Sequence, residues 1–319
     1  MKTWILCAVY AISCEIGFAQ GLDEAAMKAR LDQVASSYAA NNAFMGTVLV
    51  AEGDRILLNN GYGMANLEWE IPNAPGVKFR IGSMTKQFTA TLILLLQEDG
   101  KLNIHDPVGK YLPDAPKVWE KITLANLLGH TSGIPSLTEL KEFGTFGMSP
   151  HTPEEDLAFI RDRPLDFEPG SQFAYSNSNF LVLGMVIEQV SGKKYVGLLH
   201  ERIFDPLGMN DTGLDSDELI LPKRAEGYMP SKDGLVRTRG ESLNGPWAAG
   251  GMYSTTGDLL KWEHGLFGGK VLSADLLGQM TTPGMGSGAS RRSRTWRMTC
   301  RPIGVSRSLR KCLFQFVFA

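Results

Sequence analysis

Cysteine is missing from the body of this chain. The four cysteines are Cys7, Cys14, Cys300 and Cys312, so residues 20–283 contain none. A body without cysteines cannot depend on disulfides and needs a hydrophobic core that is stable without them, which a chain of 319 residues can provide. No group of cysteines or histidines has the spacing of a zinc site. These absences exclude a disulfide-rich scaffold and a zinc finger.

The chain also has little net charge, −2 in total, but the charge is unevenly distributed. Residues 276–319 contain seven arginines, one lysine and no acidic residue, which leaves about −10 for residues 20–283. An acidic body repels the phosphates of DNA and RNA. We therefore expect no nucleic-acid partner.

The N-terminal hydrophobic run, residues 4–12, is too short to cross a bilayer as a helix. Lys2 precedes it, and residues 17–19 read Gly-Phe-Ala, a small-x-small pattern. This combination is typical of a secretory signal cleaved after Ala19. Alternatives are a buried N-terminal helix and lipidation at Cys14. We expect a periplasmic or secreted protein without a transmembrane span.

Hydrophobic periodicity predicts an α/β fold for residues 20–283. A helix is predicted over residues 22–41, with Ala26, Ala29, Val34 and Tyr38 among its apolar positions. Strands are predicted over residues 46–52, 55–62 and 77–81, the first two forming a hairpin. Further helices are predicted over residues 122–128, 154–161, 180–190, 195–204, 256–267 and 274–280, with Asp205-Pro206 ending the fourth and Ser273 capping the last.

These elements suggest a sheet part, about residues 20–82 and after 240, and a helical part, about residues 83–206. The composition changes near residue 284: a glycine-rich segment is followed by arginine-rich sequence without a clear period. Residues 284–319 therefore read as an atypical basic tail, either a flexible extension or a truncated or frame-shifted C-terminus.

One short motif indicates chemistry. Residues 83–86 read Ser-Met-Thr-Lys and precede a stretch rich in Leu, Ala and Gln that ends before Gly100. This pattern predicts that Ser83 begins a buried helix, with Lys86 one turn further on the same face. A serine hydroxyl needs a nearby base to be a nucleophile, and a partly desolvated lysine can hold or relay the proton. The alternative is an N-cap serine with a surface lysine.

A second stretch supplies candidate partners. Pro169-Gly170 predicts a turn, and Tyr175-Ser176-Asn177 then leads into an apolar helix. A tyrosine near a lysine is expected to have a lowered phenolic pKa and to act as a general base toward serine. An asparagine amide both donates and accepts hydrogen bonds, so Asn177 can bind an amide-like substrate and orient the lysine. The alternative is a turn with an asparagine cap and a packed tyrosine.

Four segments in this order resemble the serine β-lactamase-related family, which holds class C β-lactamases, DD-peptidases of the penicillin-binding kind and related esterases. The segments are Ser-Met-Thr-Lys at 83–86, Leu-Leu-Gly-His-Thr-Ser-Gly-Ile at 127–134, Tyr-Ser-Asn at 175–177 after Pro169-Gly170, and Ala-Gly-Gly-Met-Tyr-Ser-Thr at 249–255. The tyrosine resembles the class C and DD-peptidase pattern and differs from the Ser-Asp-Asn of class A enzymes. The resemblance covers about residues 25–283.

The resemblance implies an antiparallel sheet flanked by helices beside an all-helical domain, with the site between them. It implies that Ser83 attacks a carbonyl and becomes acylated, that Lys86 and Tyr175 move the proton, and that Asn177 positions substrate. The Ser83 N–H becomes one half of an oxyanion hole. His130 is then structural, whereas Trp247 either lines the pocket or belongs to the core.

The same resemblance implies a small-molecule or peptidoglycan-type substrate: a β-lactam, a D-alanyl peptide or an ester. It implies no metal and no organic cofactor. We expect a monomer.

The family's third motif, Lys-Thr-Gly or His-x-Gly on a strand, does not follow residue 283 in this sequence. That strand supplies the second oxyanion N–H, and losing one such donor typically lowers the rate by about 10²–10³-fold. We accordingly expect the C-terminal strands of the sheet to be missing. Two hypotheses follow: a serine hydrolase with an acyl-enzyme mechanism, or an impaired relative that binds peptidoglycan-like or acyl ligands without turnover.

Overall fold

Helices and short antiparallel strands make up the protein, in agreement with the predicted fold class. The computed structural model describes residues 24–41, 44–238, 242, 245–282 and 312–318. Its strands, in chain order, are β1 (Gly46–Glu52), β2 (Arg55–Tyr62), β3 (Met64–Asn66), β4 (Ile71–Pro72), β5 (Phe79–Arg80), β6 (Gly213–Leu214), β7 (Tyr228–Ser231), β8 (Gly234–Arg237), β9 (Met252–Ser254) and β10 (Cys312–Phe318). Its helices are α1 (Glu24–Ala40), α2 (Thr85–Glu98), α3 (Leu124–Leu128), α4 (Phe143–Phe146), α5 (Pro153–Ile160), α6 (Asn177–Ser191), α7 (Tyr195–Leu199), α8 (Asp205–Leu207), α9 (Trp247–Gly250), α10 (Thr256–Phe267) and α11 (Ala274–Thr281).

The described residues form two compact units, one containing residues up to 75 with 312–318 and the other containing residues 76–282. In the first unit β1 and β2 form the predicted hairpin with the predicted bounds. They turn at Gly53, whose φ of +59° lies in the left-handed region that favours glycine. Helix α1 packs on β2.

Helix α1 presents a different face to this hairpin from the one predicted. Ala35 is buried, and Met27, Leu31 and Ala39 pack against the same core at four-residue spacing, which aligns them on one face. Val34 and Tyr38 are 58% and 59% exposed, so their assignment to the apolar face was wrong. The Tyr62 hydroxyl on β2 donates to Asp32 on α1 at 2.7 Å, and this bond helps to fix the rotation of the helix.

One described strand follows residue 283. Strand β10 runs antiparallel to β1, so the sheet order is β10–β1–β2. The expected loss of C-terminal strands is therefore wrong for this segment. Residues 312–318 are rich in aromatic and branched residues that favour strands, and their pairing satisfies the backbone groups along the edge of β1.

The second unit is built around α2. Ten of its fourteen residues are buried, and it packs against α6 and α9. Phe88 stacks on Trp262 of α10 with ring centroids 4.2 Å apart. Burying a side chain such as Leu92 or Ile93 contributes about 1.5–3 kcal/mol. Helix α2 is therefore the core element from which the site is built.

A close approach of α6 to α9 depends on Gly184. A Cβ built at this position would lie 2.6 Å from the Ala248 Cβ and 2.6 Å from a Trp247 ring carbon. Glycine lets the two helices meet, because any larger side chain would force them apart.

Several element boundaries differ from the prediction for local reasons. Helix α3 begins after Thr123, because the Thr123 hydroxyl accepts from the Asn126 N–H and the Asn126 side chain returns the bond. The helix predicted to end at Asp205-Pro206 continues as α8, since proline is tolerated in a first helical turn, and stops at Gly208 with φ +66°. Strand β5 is shorter than predicted and pairs with β9, which also pairs with β6.

We expect Gly133→Ala to lower the free energy of unfolding by at least about 2 kcal/mol. Gly133 has φ +79°, and a Cβ there would lie 2.1 Å from the Phe167 carbonyl oxygen. Urea unfolding measures the change. Gly144→Ala is the matched control, because nothing lies within 4 Å of its Cβ position. Equal stability of the two variants would contradict the packing described here.

Candidate active site

Ser83 lies in a tight 3₁₀ turn, Gly82–Met84, directly before α2. The prediction that Ser83 begins the helix was slightly wrong: α2 starts at Thr85, and its N-cap is Met84, with no side-chain capping bond. Gly82 has φ +51°, and the Thr85 hydroxyl donates back to the Gly82 carbonyl at 2.7 Å. The turn therefore leaves the Ser83 hydroxyl exposed and uncommitted to capping.

Lys86 lies one turn further along α2 and is only 2% exposed. Its amine donates to three oxygens: Ser83 Oγ at 3.2 Å, Asn177 Oδ1 at 2.8 Å and the Ala249 carbonyl at 2.6 Å. Burial disfavours the charged form and lowers the pKa of Lys86 to about 7. A substantial fraction of the amine is therefore neutral near pH 7.

The three partners direct the lone pair of the neutral amine. An amide oxygen and a backbone carbonyl only accept, whereas a serine hydroxyl also donates. A neutral amine has two N–H groups, which satisfy Asn177 Oδ1 and the Ala249 carbonyl. Its lone pair then faces Ser83 Oγ, the one partner with a proton to give. This geometry fits a base acting on Ser83.

Tyr175 completes the cluster. Its hydroxyl lies 2.7 Å from Ser83 Oγ and donates to Asn177 Oδ1 at 3.1 Å. Burial raises the pKa of Tyr175, and the hydrogen bond with Ser83 opposes this only in part. The expectation of a lowered phenolic pKa was therefore wrong. The physical reason is that desolvation by burial disfavours the phenolate and dominates the shift.

The loop after α3 holds the Tyr175–Asn177 segment by its backbone. The Ser176 N–H donates to His130 Nδ1 at 3.1 Å, and the Ala174 N–H donates to the His130 carbonyl at 3.0 Å. The Asn177 N–H donates to Ser136 Oγ at 3.1 Å. These bonds place Tyr175 and Asn177 opposite α2, at the start of α6.

His130 is buried against the ring of Tyr175, with centroids 4.6 Å apart. Burial, and next the charge of Lys86, lower the pKa of His130 to about 3. The imidazole is therefore neutral near pH 7, with Nδ1 accepting from the Ser176 N–H. This arrangement agrees with a structural His130.

Helix α9 supplies acceptors that the sequence pattern does not reveal. Besides the bond from Lys86 to the Ala249 carbonyl, the Thr89 hydroxyl donates to the Ala248 carbonyl at 2.7 Å and contacts the Tyr195 hydroxyl at 2.7 Å. A backbone carbonyl has no side-chain signature. The small residues at 248–251 were the available signal, because they permit a close backbone approach.

Trp247 is half-buried, and its ring packs edge-on against Tyr195 with centroids 5.3 Å apart. It lines a cavity of about 480 Å³ together with Met185 and Glu188, and neither Ser83 nor Lys86 is among the lining residues. This cavity is therefore separate from the cluster around Ser83.

Within the described ranges of the chain, no three His, Cys, Asp or Glu side chains are arranged to hold a metal ion. Nor is any helix of that part long and apolar enough to cross a bilayer. The predicted signal, residues 1–19, lies outside the described residues.

Comparison with known proteins places the chain in a family. A profile of the Beta-lactamase family matches residues 31–301. The chain belongs to the beta-lactamase family. It is 34% identical over 256 residues to the putative penicillin-binding protein PbpX of Bacillus subtilis, covering 80% of this chain and 63% of that protein. It is 32% identical over 224 residues to the teichoic acid D-alanine hydrolase of Staphylococcus aureus, covering 70% of this chain and 54% of that protein. The chain therefore spans between half and two thirds of the length of these curated relatives.

Solved structures of this family confirm the fold class. A penicillin-binding protein from Bacillus halodurans aligns with a TM-score of 0.70 and 29% identity, covering 77% of this chain and 78% of that one. A D-amino acid amidase from Ochrobactrum anthropi aligns with a TM-score of 0.69 and 29% identity, covering 77% of this chain and 72% of that one. An octameric penicillin-binding protein homologue from Pyrococcus abyssi aligns with a TM-score of 0.68 and 32% identity, covering 80% of this chain and 60% of that one. Because that relative is octameric, the expected monomer stays a prediction.

The neutral His130 predicts a pH-dependent contribution to stability. Its folded pKa of about 3 lies below the unfolded value near 6.5, so the unfolded chain binds the additional proton between these values. His130 therefore destabilises the fold as pH falls through this window, approaching about 1.4 kcal/mol per pH unit. His130→Asn removes this dependence.

Urea unfolding between about pH 6.5 and about pH 4 measures it. The difference in the free energy of unfolding between wild type and His130→Asn should shrink as pH falls. His105→Gln, at an exposed histidine, is the control variant. A constant difference for both variants would contradict a buried neutral imidazole.

Proposed function

We propose that this protein is an exported serine hydrolase that forms an acyl-enzyme on Ser83 with the ester or amide carbonyl of a D-alanyl group. The single observation that carries the proposal is the buried Lys86 amine, which lies 3.2 Å from Ser83 Oγ and also donates to Asn177 Oδ1 and the Ala249 carbonyl. Its lowered pKa of about 7 makes it a base of suitable strength.

The chemistry proceeds in two steps. Neutral Lys86 takes the Ser83 proton as Oγ attacks the carbonyl carbon, and the Ser83 N–H receives the developing oxyanion. Collapse of the tetrahedral intermediate breaks the bond to the alcohol or amine, which leaves with a proton relayed from Lys86 through Tyr175. Water then attacks the acyl carbon and gives one proton to the same relay. The new tetrahedral intermediate collapses, the bond between the acyl carbon and Oγ breaks, and the relay returns the proton to Ser83 Oγ as the acid leaves. Asn177 orients Lys86 throughout.

Two relatives support a D-amino acyl group as the substrate, and the D-alanyl group in particular comes from the first of them. One curated relative is a teichoic acid D-alanine hydrolase, and one structural relative is a D-amino acid amidase. A β-lactam is the alternative acyl donor, suggested by the penicillin-binding relatives. Export rests on the signal-like residues 1–19.

A second function is favoured by one specific observation. The sequence contains no Lys-Thr-Gly or His-x-Gly after residue 283, and that motif carries the second oxyanion donor in the family it resembles. A protein with only one donor forms and hydrolyses its acyl-enzyme slowly. With only one oxyanion donor, this protein would bind peptidoglycan-like or acyl ligands and would not hydrolyse them efficiently.

Intact mass spectrometry tests the nucleophile. After exposure to a phenyl ester of D-alanine, and separately to benzylpenicillin, the wild type should gain the mass of one acyl group, whereas Ser83→Ala should gain none. Tyr253→Phe, a change outside the cluster, is the control and should be labelled like the wild type. An adduct on Ser83→Ala would overturn the assignment.

The same experiment separates the two functions. Release of phenol in more than one equivalent supports the hydrolase, whereas a stable adduct with one equivalent released supports the impaired binder. An L-alanine phenyl ester should acylate Ser83 more slowly if the D-configuration is recognised. Equal rates with both enantiomers would remove the D-alanyl assignment and leave the serine mechanism standing.

The acylation rate should rise with pH through about 7 and then level off, because the proton leaves Lys86 in that range. Lys86→Arg should lower the rate by about 10²-fold or more, since a guanidinium does not lose its proton. Stopped-flow release of phenol measures both. The exposed Lys101→Arg is the control and should keep the wild-type profile. A pH-independent rate in the wild type would exclude Lys86 as the base.

A further inference from the structure

Two hydroxyl groups hold Asn177, one at its backbone N–H and one at its side-chain amide. The Asn177 N–H donates to Ser136 Oγ at 3.1 Å, and Asn177 Nδ2 donates to Thr138 Oγ1 at 3.0 Å. The two hydroxyl oxygens lie 3.0 Å apart and share a hydrogen bond. We call Ser136 and Thr138 the hydroxyl clamp.

The clamp is itself fixed to the start of α6. The Leu137 N–H donates to Ser178 Oγ at 2.9 Å, and that hydroxyl donates to the Pro135 carbonyl at 2.7 Å. Ser136 is buried, whereas Thr138 is exposed at the rim of the cluster. The loop therefore presents Thr138 Oγ1 to Asn177 from a backbone that is held on both sides.

The orientation of the Asn177 amide decides where the Lys86 lone pair points. In the observed orientation Oδ1 accepts from Lys86 at 2.8 Å and from Tyr175 at 3.1 Å. A flipped amide would turn its NH₂ toward Lys86. An ammonium would oppose that flip, but a neutral amine would accept the N–H with its lone pair. The reactive, neutral state of Lys86 is thus the state in which the flip is least opposed.

We propose that Thr138 is a positioning residue for the reaction at Ser83: its hydroxyl proton is donated to Ser136 Oγ, which leaves its oxygen to accept from Asn177 Nδ2. This arrangement keeps Oδ1 toward Lys86, and so keeps the Lys86 lone pair on Ser83 Oγ. The proposal rests on the proposed function for its catalytic consequence. Its effect on the titration of Lys86 can be measured without any turnover of substrate.

The test compares Thr138→Val, which keeps the shape and removes the hydroxyl, with Thr138→Ser, which keeps the hydroxyl. Thr145→Val, on the exposed surface of α4, is the control for an unrelated loss of a hydroxyl. Urea unfolding first establishes that all three variants are folded. Two readouts follow: the pH profile of acylation by the D-alanine phenyl ester, and the titration of Lys86 observed by NMR of ¹³C-labelled lysine, assigned with Lys86→Arg.

In Thr138→Val we expect the plateau rate of acylation to fall about fivefold, the factor that one neutral hydrogen bond represents. We also expect the midpoint of the pH profile and the Lys86 titration to move to lower pH, because an NH₂ group facing the amine disfavours its charged form. Thr138→Ser and Thr145→Val should match the wild type in both readouts.

A plateau rate that falls with no movement of the Lys86 titration would show a merely structural role and overturn the proposal. So would an unchanged Thr138→Val, or a Thr138→Ser variant as impaired as Thr138→Val. The NMR titration keeps the two questions separate. If Lys86 titrates lower in Thr138→Val but the wild type forms no Ser83 adduct, the effect of Thr138 on Lys86 stands and the proposed function fails.

Discussion

The arrangement around Ser83 depends on a lysine amine buried inside a helical core. Burying a charged ammonium is costly unless it is well paired, and a lysine under this pressure responds with a lowered pKa. Lys86 shows both effects: three oxygens surround the amine, and its pKa falls to about 7. Those oxygens belong to the turn before α2, to α6 and to α9, so keeping the buried amine paired requires that all three segments pack together.

The packing of α2, α6 and α9 follows from this constraint. The Ala249 carbonyl reaches Lys86 only because α9 lies close to both helices, and Gly184 makes the approach of α6 possible. Thr89, one turn along α2 from Lys86, repeats the pattern with the Ala248 carbonyl. The cluster therefore includes two backbone carbonyls, Ala248 and Ala249, whose positions are set by helix packing.

The loop between His130 and Thr138 acts as a second support. It anchors residues 174–177 through His130 and Ser136, both buried, and reaches the cluster through Thr138. Because His130 is neutral, it accepts a backbone N–H without adding a second charge beside Lys86. Tyr175, with a raised pKa, serves as a neutral hydrogen-bond donor. Of Lys86, His130 and Tyr175, Lys86 is the group that titrates near pH 7. A proton that leaves Ser83 is therefore accepted by Lys86 in preference to the other two groups.

Local features of the chain were determined by the sequence alone. The hairpin of β1 and β2, the helix α10 and the cap at Ser273 follow from short-range periodicity and turn chemistry, and the order of the four motifs indicates the family. Only the tertiary structure decided the face of α1, the presence of β10, the raised pKa of Tyr175, and the contacts that the Ala249 carbonyl and Thr138 make. The physical reason is that these depend on desolvation and on contacts between residues far apart in the chain. Hydrophobic periodicity reports which residues tend to be buried, but it does not report which groups meet there.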